Sequence, residues 1–146
     1  MRDARLPAFT VPEPLARLNA KLPQLPATLA LTTALNLAPE ALLPRAALLP
    51  LTDRRLCVRV LDAGFSLDFT LGADGRFRPC HAGAPADLTI SATLRDFIVL
   101  ALCEEDADTL FFGRRLHIEG DTRLGVLVKN TLNTVDWNRI FAEVSG

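Results

Sequence analysis

A two-residue alternation of apolar and polar side chains is the clearest pattern in the chain. It runs through residues 56–60 and resumes at residues 65–71, on either side of the turn-forming sequence Asp62-Ala63-Gly64. Successive side chains of a β-strand point to opposite faces, so the pattern predicts two half-buried antiparallel strands joined by a tight turn. Three shorter segments complete the predicted sheet: residues 76–80, 87–91 and 114–119.

The chain before this sheet divides at Pro26. Residues 1–25 are punctuated by prolines and show no sustained period, which predicts a loosely attached arm, and residues 26–146 then form one domain. Alanine, leucine and threonine predict a helix over Ala27–Ala38. Pro39 is placed to begin a short second helix that two later prolines end.

Two further helices are predicted from their N-caps. Thr93, followed three residues later by Asp96, forms a capping box before a helix that is apolar over most of its surface. Asp121 caps the last long helix, on which apolar residues recur at helical spacing. Together the segments predict a mixed α+β fold, with a five-stranded, mostly antiparallel sheet covered by helices on one face.

Length and charge narrow the possible function classes. A chain of 146 residues is long enough for one domain with its own core, and a net charge of −1 argues against a nucleic-acid partner. Cys57, Cys80 and Cys103 are scattered and odd in number, which favours free thiols in a reducing cytoplasm over a disulfide framework or a metal site. Residues 1–8 lack the basic start and apolar run of a secretory signal.

The titratable residues show no pattern typical of a catalytic site. Of the two histidines, His81 lies in a predicted Gly-Pro loop and His117 on the polar face of a predicted strand. The acidic run at residues 104–108 is predicted to lie in a loop, either as solvated charge or as an edge for a basic partner. Arg114 and Arg115 are adjacent on a predicted strand, so only one of them faces inward; a surface pair and a contact with a ligand head group are the alternatives.

Apolar side chains are the candidates for a binding site. Because 49% of the chain is apolar, one interpretation is that these side chains only fill a core. The other is that part of the set lines a cavity. The candidate residues are Phe65, Leu67, Phe69, Phe97, Leu100, Phe111, Phe112, Leu124, Leu127, Val128 and Leu132.

Two segments resemble the sterol-carrier-protein family. One is Ala86–Ser91, which precedes an apolar helix. The other is Asp108–Asp121, which joins a double phenylalanine, paired arginines and a Glu-Gly-Asp corner before the last helix. Within the family, the likeness is to bacterial accessory factors of ubiquinone biosynthesis, and it covers residues 27–137. Gly113 and His117 stand where that pattern has a longer polar residue and an apolar residue.

The resemblance implies that the sheet and helices enclose an apolar tunnel. It further implies a carrier that holds a prenylated quinone precursor, or another long-chain lipid, for the hydroxylating proteins of the oxygen-independent route to ubiquinone. We therefore expect a lipid-binding accessory protein that is not an enzyme and has no cofactor. Two alternatives stay open: a module that docks proteins to each other or to a membrane without binding lipid, and a small enzyme that acts on a lipid.

Peripheral contact with the inner membrane is a further expectation. The segment Leu25–Leu49 carries the least charge in the chain, but its prolines interrupt the run of about 20 apolar residues that spanning a bilayer requires. At a membrane surface, Leu31 and Leu35 would insert among acyl chains and Arg45 would reach anionic head groups. The alternative is that this helix only packs against the domain.

Overall fold

The structure, a computed structural model, describes residues 25–80 and 85–145. Its helices are α1 (Leu25–Leu37), a 3-10 helix (Ala46–Leu51), α2 (Leu94–Ala101), α3 (Ala107–Phe112), α4 (Thr122–Thr134) and α5 (Trp137–Ser145). Its strands are β1 (Arg55–Val60), β2 (Phe65–Leu71), β3 (Phe77–Pro79), β4 (Leu88–Ala92) and β5 (His117–Gly120). Residues 1–24 of the predicted arm, and His81, lie outside the described residues.

All five strands belong to one sheet, in the order β3-β2-β1-β4-β5. Strand β2 pairs antiparallel with both β1 and β3, and β4 pairs antiparallel with β5. The central pair, β1 with β4, is parallel. The mostly antiparallel sheet that the alternation predicts is therefore confirmed.

One face of the sheet is apolar and the other is polar. Val58 on β1 lies opposite Leu67 on β2 and Ile90 on β4, so these three side chains share a face. The next row, which includes Asp68 and Thr89, points to the other face. Side chains from α1, α2, α4 and α5 approach the apolar face, as expected for a sheet with helices on one side.

Both predicted N-caps are confirmed. The Thr93 side chain accepts a hydrogen bond from the Asp96 N–H at 3.2 Å and begins α2. The Asp121 carboxylate accepts one from the Leu124 N–H at 3.1 Å and begins α4. These bonds satisfy backbone donors that have no partner within the helix, so each cap fixes where its helix starts.

Gly120 forms the corner between β5 and α4. Its φ is +122°, a conformation that side chains strongly disfavour. A Cβ atom at this position would lie only 2.3 Å from the carbonyl oxygen of Asp87, which immediately precedes the neighbouring strand β4. The Glu-Gly-Asp corner thus requires glycine because two backbones approach each other closely there.

The predicted helix after Pro39 is wrong. The Leu43 N–H donates to the Pro39 carbonyl at 2.9 Å, which closes a single turn rather than a helix. The chain then forms the 3-10 helix, which continues through Pro50 instead of ending before it. Proline lacks the N–H that a longer α-helix would need at this position, and a short 3-10 helix tolerates that loss.

The predicted start of the last strand is also wrong, because β5 begins at His117 and not at Arg114. Arg114 has a φ of +60°, which is not an extended conformation. The N–H groups of Arg115 and Leu116 both donate to the carbonyl of Leu110, at 2.8 and 3.0 Å. These bonds close the end of α3 and keep the paired arginines out of the sheet.

Candidate binding cavity

A cavity of about 400 Å³ lies between the apolar face of the sheet and the helices. Strand β1 contributes Leu56, Val58 and Val60 to its wall, the alternate residues that face the helices. The volume falls within the range of about 300–1,000 Å³ that is typical of small-molecule sites. Close-packed cores contain few voids larger than a water molecule, so this space is more than a packing defect.

The wall of this cavity is almost entirely hydrocarbon. Among its described residues, Thr131 on α4 and Trp137 on α5 are the two with a polar side-chain atom. The Thr131 hydroxyl donates to the Leu127 carbonyl at 2.9 Å, and the Trp137 indole N–H donates to the Leu132 carbonyl at 3.0 Å. Both polar hydrogens of the described wall are thereby engaged, so a charged or strongly polar group placed inside would be poorly compensated, at a cost of several kcal/mol. The cavity is therefore suited to an apolar chain.

Helix α2 forms one side of the cavity. Leu94, Phe97, Ile98 and Ala101 line the cavity at the spacing of one helical face, and all four are half-buried. Val99, on the opposite face of the same helix, is almost fully buried. These four side chains thus form an apolar rim on the α2 side of the cavity.

Seven of the eleven candidate residues line this cavity. Strand β2 supplies three of them, α2 two and α4 two, so the structure brings together residues that are far apart in sequence. They are Phe65, Leu67, Phe69, Phe97, Leu100, Val128 and Leu132. Their role in binding a lipid stays a prediction, but their placement is that of a common wall.

The other four candidates lie outside the wall. Leu124 and Leu127 are on the first half of α4, which packs against the sheet so closely that a Cβ on Gly125 would lie 3.3 Å from Ile118 Cγ2. This contact leaves no space for a cavity at that end of the helix.

Phe111 and Phe112 are excluded from the cavity because they belong to α3. Asp106 caps this helix by accepting a hydrogen bond from the Thr109 N–H at 2.7 Å, where the sequence predicted a loop. Helix α3 packs beside α4, and the Phe112 side chain is 73% exposed. Both rings lie near Lys129 Nζ, at 5.8 and 5.7 Å from their centres, on a surface away from the cavity.

Sequence reasoning missed the contribution of the first two helices and of Trp137. Leu31 and Leu35, four residues apart on α1, both line the cavity, and Leu35 is only 7% exposed. Their spacing on one helical face was the available signal. Further wall residues from this region are Leu43, Leu48 and Leu51, which the 3-10 helix and the turn before it position.

The prediction that Leu31, Leu35 and Arg45 face a membrane is wrong. Both leucines point inward, toward the cavity. The Arg45 guanidinium donates hydrogen bonds to the carbonyl oxygens of Leu35, Asn36 and Ala38 at 3.0–3.2 Å. A cation at the C-terminus of a helix satisfies its last carbonyls and its dipole, so Arg45 ends α1 and does not extend toward a head group.

Arg115 joins α2 to the loop before α3. Its guanidinium donates to Asp96 Oδ1 at 2.7 and 3.1 Å and to both carboxylate oxygens of Glu105 at 3.0 Å. The hydrogen bonds to Asp96, and then those to Glu105, raise the pKa of Arg115. Asp96 is only 6% exposed, so its charge is compensated by this contact. The prediction that Arg114 and Arg115 point to opposite faces of a strand is therefore wrong, since neither residue lies on a strand.

The acidic run is largely paired and is not a solvated loop. Glu105 binds Arg115, and Asp108 accepts a hydrogen bond from Lys129 Nζ at 2.6 Å. Asp106 serves as the cap of α3, and its pKa is lowered chiefly by the hydrogen bond from the Thr109 backbone. His117 is exposed on the polar face of the sheet, as predicted.

Metal-binding clusters and membrane-spanning helices are both absent from the described part of the chain. Within residues 25–80 and 85–145, no group of three or more His, Cys, Asp or Glu side chains is arranged to hold a metal ion. None of the helices in those two ranges is long and apolar enough to cross a membrane.

Comparison with known proteins supports the resemblance seen in the sequence. The family model of the SCP-2 sterol transfer family matches residues 31–133. A segment of 86 residues, 59% of this chain, is 49% identical to the ubiquinone biosynthesis accessory factor UbiT of Escherichia coli K12 and covers 48% of that protein. The chain thus spans about half the length of the curated relatives it matches.

Solved structures with the same fold are more distant in sequence. The UbiJ-SCP2 ubiquinone synthesis protein aligns with a TM-score of 0.53 and 18% identity over 73% of this chain and 90% of its own. Sterol carrier protein domain 2 of Helicoverpa armigera aligns with a TM-score of 0.51 and 14% identity over 79% of this chain and 92% of its own. At such identities the structures show the fold alone. The predicted α+β architecture is confirmed, and the chain belongs to the SCP-2 sterol transfer family.

Proposed function

We propose that this protein is a lipid-binding accessory protein of ubiquinone biosynthesis, which holds a prenylated quinone precursor or a related long-chain lipid. The observation that carries the proposal is the apolar cavity of about 400 Å³, whose described wall offers no titratable group. The family match and the name of the relative UbiT support the choice of pathway. The name of the UbiJ-SCP2 protein refers to ubiquinone synthesis as well.

Binding in such a cavity depends on the area of hydrocarbon removed from water. Burial contributes roughly 0.8 kcal/mol per methylene, so a segment of about ten carbons gains about 8 kcal/mol before the entropy of ordering the chain is subtracted. The quinone ring carries polar oxygens that the wall cannot satisfy. We therefore place the tail inside and the ring at the rim formed by α2, within reach of a modifying enzyme.

This arrangement supports a role as carrier and not as catalyst. General acid–base or nucleophilic chemistry requires a titratable or activated group within hydrogen-bond distance of the reacting atom. The described wall supplies the hydroxyl of Thr131, which is engaged within its own helix. The reactions are then performed by partner proteins, and hydroxylating proteins of the oxygen-independent route are the partners that the resemblance suggests.

A carrier of this kind takes its cargo from a membrane, and the outer face of α1 is suited to that contact. Leu29 and Leu37 are exposed on α1, and Leu49 is exposed on the 3-10 helix that follows. Helix α1 contains no charged residue, so its exposed face can approach a bilayer surface without a charge of its own losing water. We place the membrane contact on these leucines, on the opposite side of α1 from Leu31 and Leu35, and the protein in the cytoplasm beside the inner membrane.

Native mass spectrometry of the purified protein tests the proposal. Delipidated protein incubated with a polyprenyl quinone, or with palmitate as a simpler chain, should gain one ligand mass per chain and a higher melting temperature. A bilayer-bound peripheral protein without a cavity ligand would show neither change. Identical masses and melting temperatures with and without lipid would refute the carrier function and favour a docking module that binds no lipid.

A further inference from the structure

Strand β5 lies at the edge of the sheet formed by the described strands. It pairs with β4 on one side, and no other described strand pairs with it on the other. The Asp121 N–H donates to the Asp87 carbonyl at 3.0 Å just beyond the end of the pairing. Because bonded and non-bonded pairs alternate along an antiparallel ladder, Glu119 and His117 direct their backbone groups to β4. Ile118 therefore directs its N–H and C=O to the free edge.

The surface beside this edge contains exposed apolar side chains. A groove of about 430 Å³ separates the edge of β5 from α3, and Phe112 is one of its walls. The Phe112 side chain is 73% exposed, and Lys129 Nζ, which pairs with Asp108, lies 5.7 Å from the centre of its ring. Val126 precedes Lys129 by three residues on α4, so it shares that face, and it is 52% exposed.

The polar side chains of β5, an imidazole and a carboxylate, are arranged so that the strand complements itself. If two copies pair antiparallel about a two-fold axis at Ile118, His117 of one copy lies directly opposite Glu119 of the other, and the reverse contact forms as well. These are non-hydrogen-bonded positions of the new ladder, where Cα atoms approach to about 4.5 Å and side chains interact most closely. A strand of another sequence would meet His117 and Glu119 without this match.

Gly120 at the end of β5 also suits the pairing of two copies about Ile118. Gly120 of one copy would lie opposite Leu116 of the other, where α3 closes onto the edge through the bond from the Leu116 N–H to Leu110. A residue without a side chain can approach this point, whereas a larger one would meet α3. The outward backbone groups of Ile118 would exchange two hydrogen bonds with those of the second copy, and Phe112 would be covered.

We infer that the free edge of β5, together with Phe112, is a self-association surface through which two copies of this chain form a continuous antiparallel sheet. A four-residue strand with one anchoring ring buries less surface than the roughly 1,600 Å² of a standard stable interface. The dimer is accordingly weak and forms as the protein concentration rises. The cavity and the β5 edge share no residue, so dimer formation leaves the rim of α2 accessible.

A charge-exchange experiment tests this inference. Sedimentation velocity over a concentration series should show a monomer–dimer equilibrium for the wild-type protein. His117→Glu places two carboxylates opposite one another twice in the dimer, which should raise the dissociation constant about tenfold. Glu119→Lys removes the carboxylate that faces the His117 imidazole and should raise the dissociation constant by a smaller factor. The double variant with both changes places a carboxylate opposite an ammonium and should return the dissociation constant to near that of the wild type.

Three controls distinguish pairing at β5 from association through a different surface. Arg76→Glu, an exposed charge reversal in the turn before β3, should leave the dimer unchanged. A reducing agent is required throughout because Cys103 is an exposed thiol. Both β5 side chains are exposed, so the variants should keep wild-type circular dichroism and lipid uptake. A protein that stays monomeric at all concentrations would overturn the inference and would favour an extended segment of another protein as the partner of β5. A dimer that the single variants do not weaken would overturn it as well.

Discussion

Replacing Ala101 with phenylalanine tests whether the cavity is open space and not a filled core. Ala101 is a half-buried residue at the end of α2, and it contributes to the wall. A phenyl ring there gains about 2 kcal/mol from burial, less about 0.5 kcal/mol for the lower helix propensity of phenylalanine. Because the position is only half-buried, we expect the free energy of unfolding of the lipid-free protein to rise by about 1 kcal/mol. That corresponds to an increase of about 3 °C in Tm.

The same substitution at Ala107 is the matched control. Ala107 begins α3, is 0% exposed and does not line the cavity. A phenyl ring has no space there, and overpacking should lower the free energy of unfolding by about 3 kcal/mol or more. Urea and thermal denaturation of the two delipidated variants should therefore give changes of opposite sign.

Lipid uptake completes this test. Because the ring of Ala101→Phe fills part of the cavity and narrows its rim, we expect uptake of a long-chain lipid to fall well below that of the wild type. Destabilisation of Ala101→Phe as severe as that of Ala107→Phe would show that the space is already filled in solution. A more stable variant with unchanged lipid uptake would show that the lipid binds elsewhere.

Three further changes probe the corner, the buried ion pair and the membrane surface. Gly120→Ala should lower the free energy of unfolding by about 3 kcal/mol, measured by urea denaturation, because its positive φ and the nearby Asp87 carbonyl leave no room for a Cβ. Arg115→Met should lower it by about 2 kcal/mol, since the nearly buried Asp96 loses its closer cation, at 2.7 Å, and keeps the weaker contact with Arg95 at 3.5 Å; a change below about 0.5 kcal/mol would show that Asp96 is solvated. Leu29→Glu combined with Leu37→Glu should reduce flotation with anionic liposomes while circular dichroism stays unchanged, whereas Leu102→Glu, exposed at the end of α2, serves as the control.

Local signals in the sequence were sufficient for the sheet and the caps. The alternation at residues 65–71 predicts β2 with the bounds that the structure shows. Thr93 and Asp121 were recognisable as caps because a capping bond involves residues only three positions apart. Elements whose start or period depends on neighbouring residues can be predicted without knowledge of the rest of the fold.

The division between cavity wall and core could not be predicted in the same way. Val128 and Leu127 are adjacent on α4 and equally apolar, yet only Val128 lines the cavity. Which side of α4 meets the cavity depends on the packing of its first half against β5. No pattern in the sequence indicates that contact. The family resemblance supplied the idea of a tunnel, but not its wall.

The acidic run and the paired arginines show a second limit. Arg115 interacts with Asp96, 19 positions away, and with Glu105, 10 positions away. No local pattern indicates that these three side chains meet. The left-handed backbone at Arg114 was equally unforeseen, because arginine has no preference for that conformation.

Quenching of Trp137 fluorescence tests the central claim most directly, because this residue is the one tryptophan of the chain and it lines the cavity. A long-chain lipid brominated along its tail quenches an indole only at close contact. If the cavity holds the tail, fluorescence of the delipidated protein should fall to a plateau at about one lipid per chain, and Ala101→Phe should need more lipid for the same loss. Unchanged Trp137 fluorescence at a concentration at which the lipid co-migrates with the protein would contradict the account.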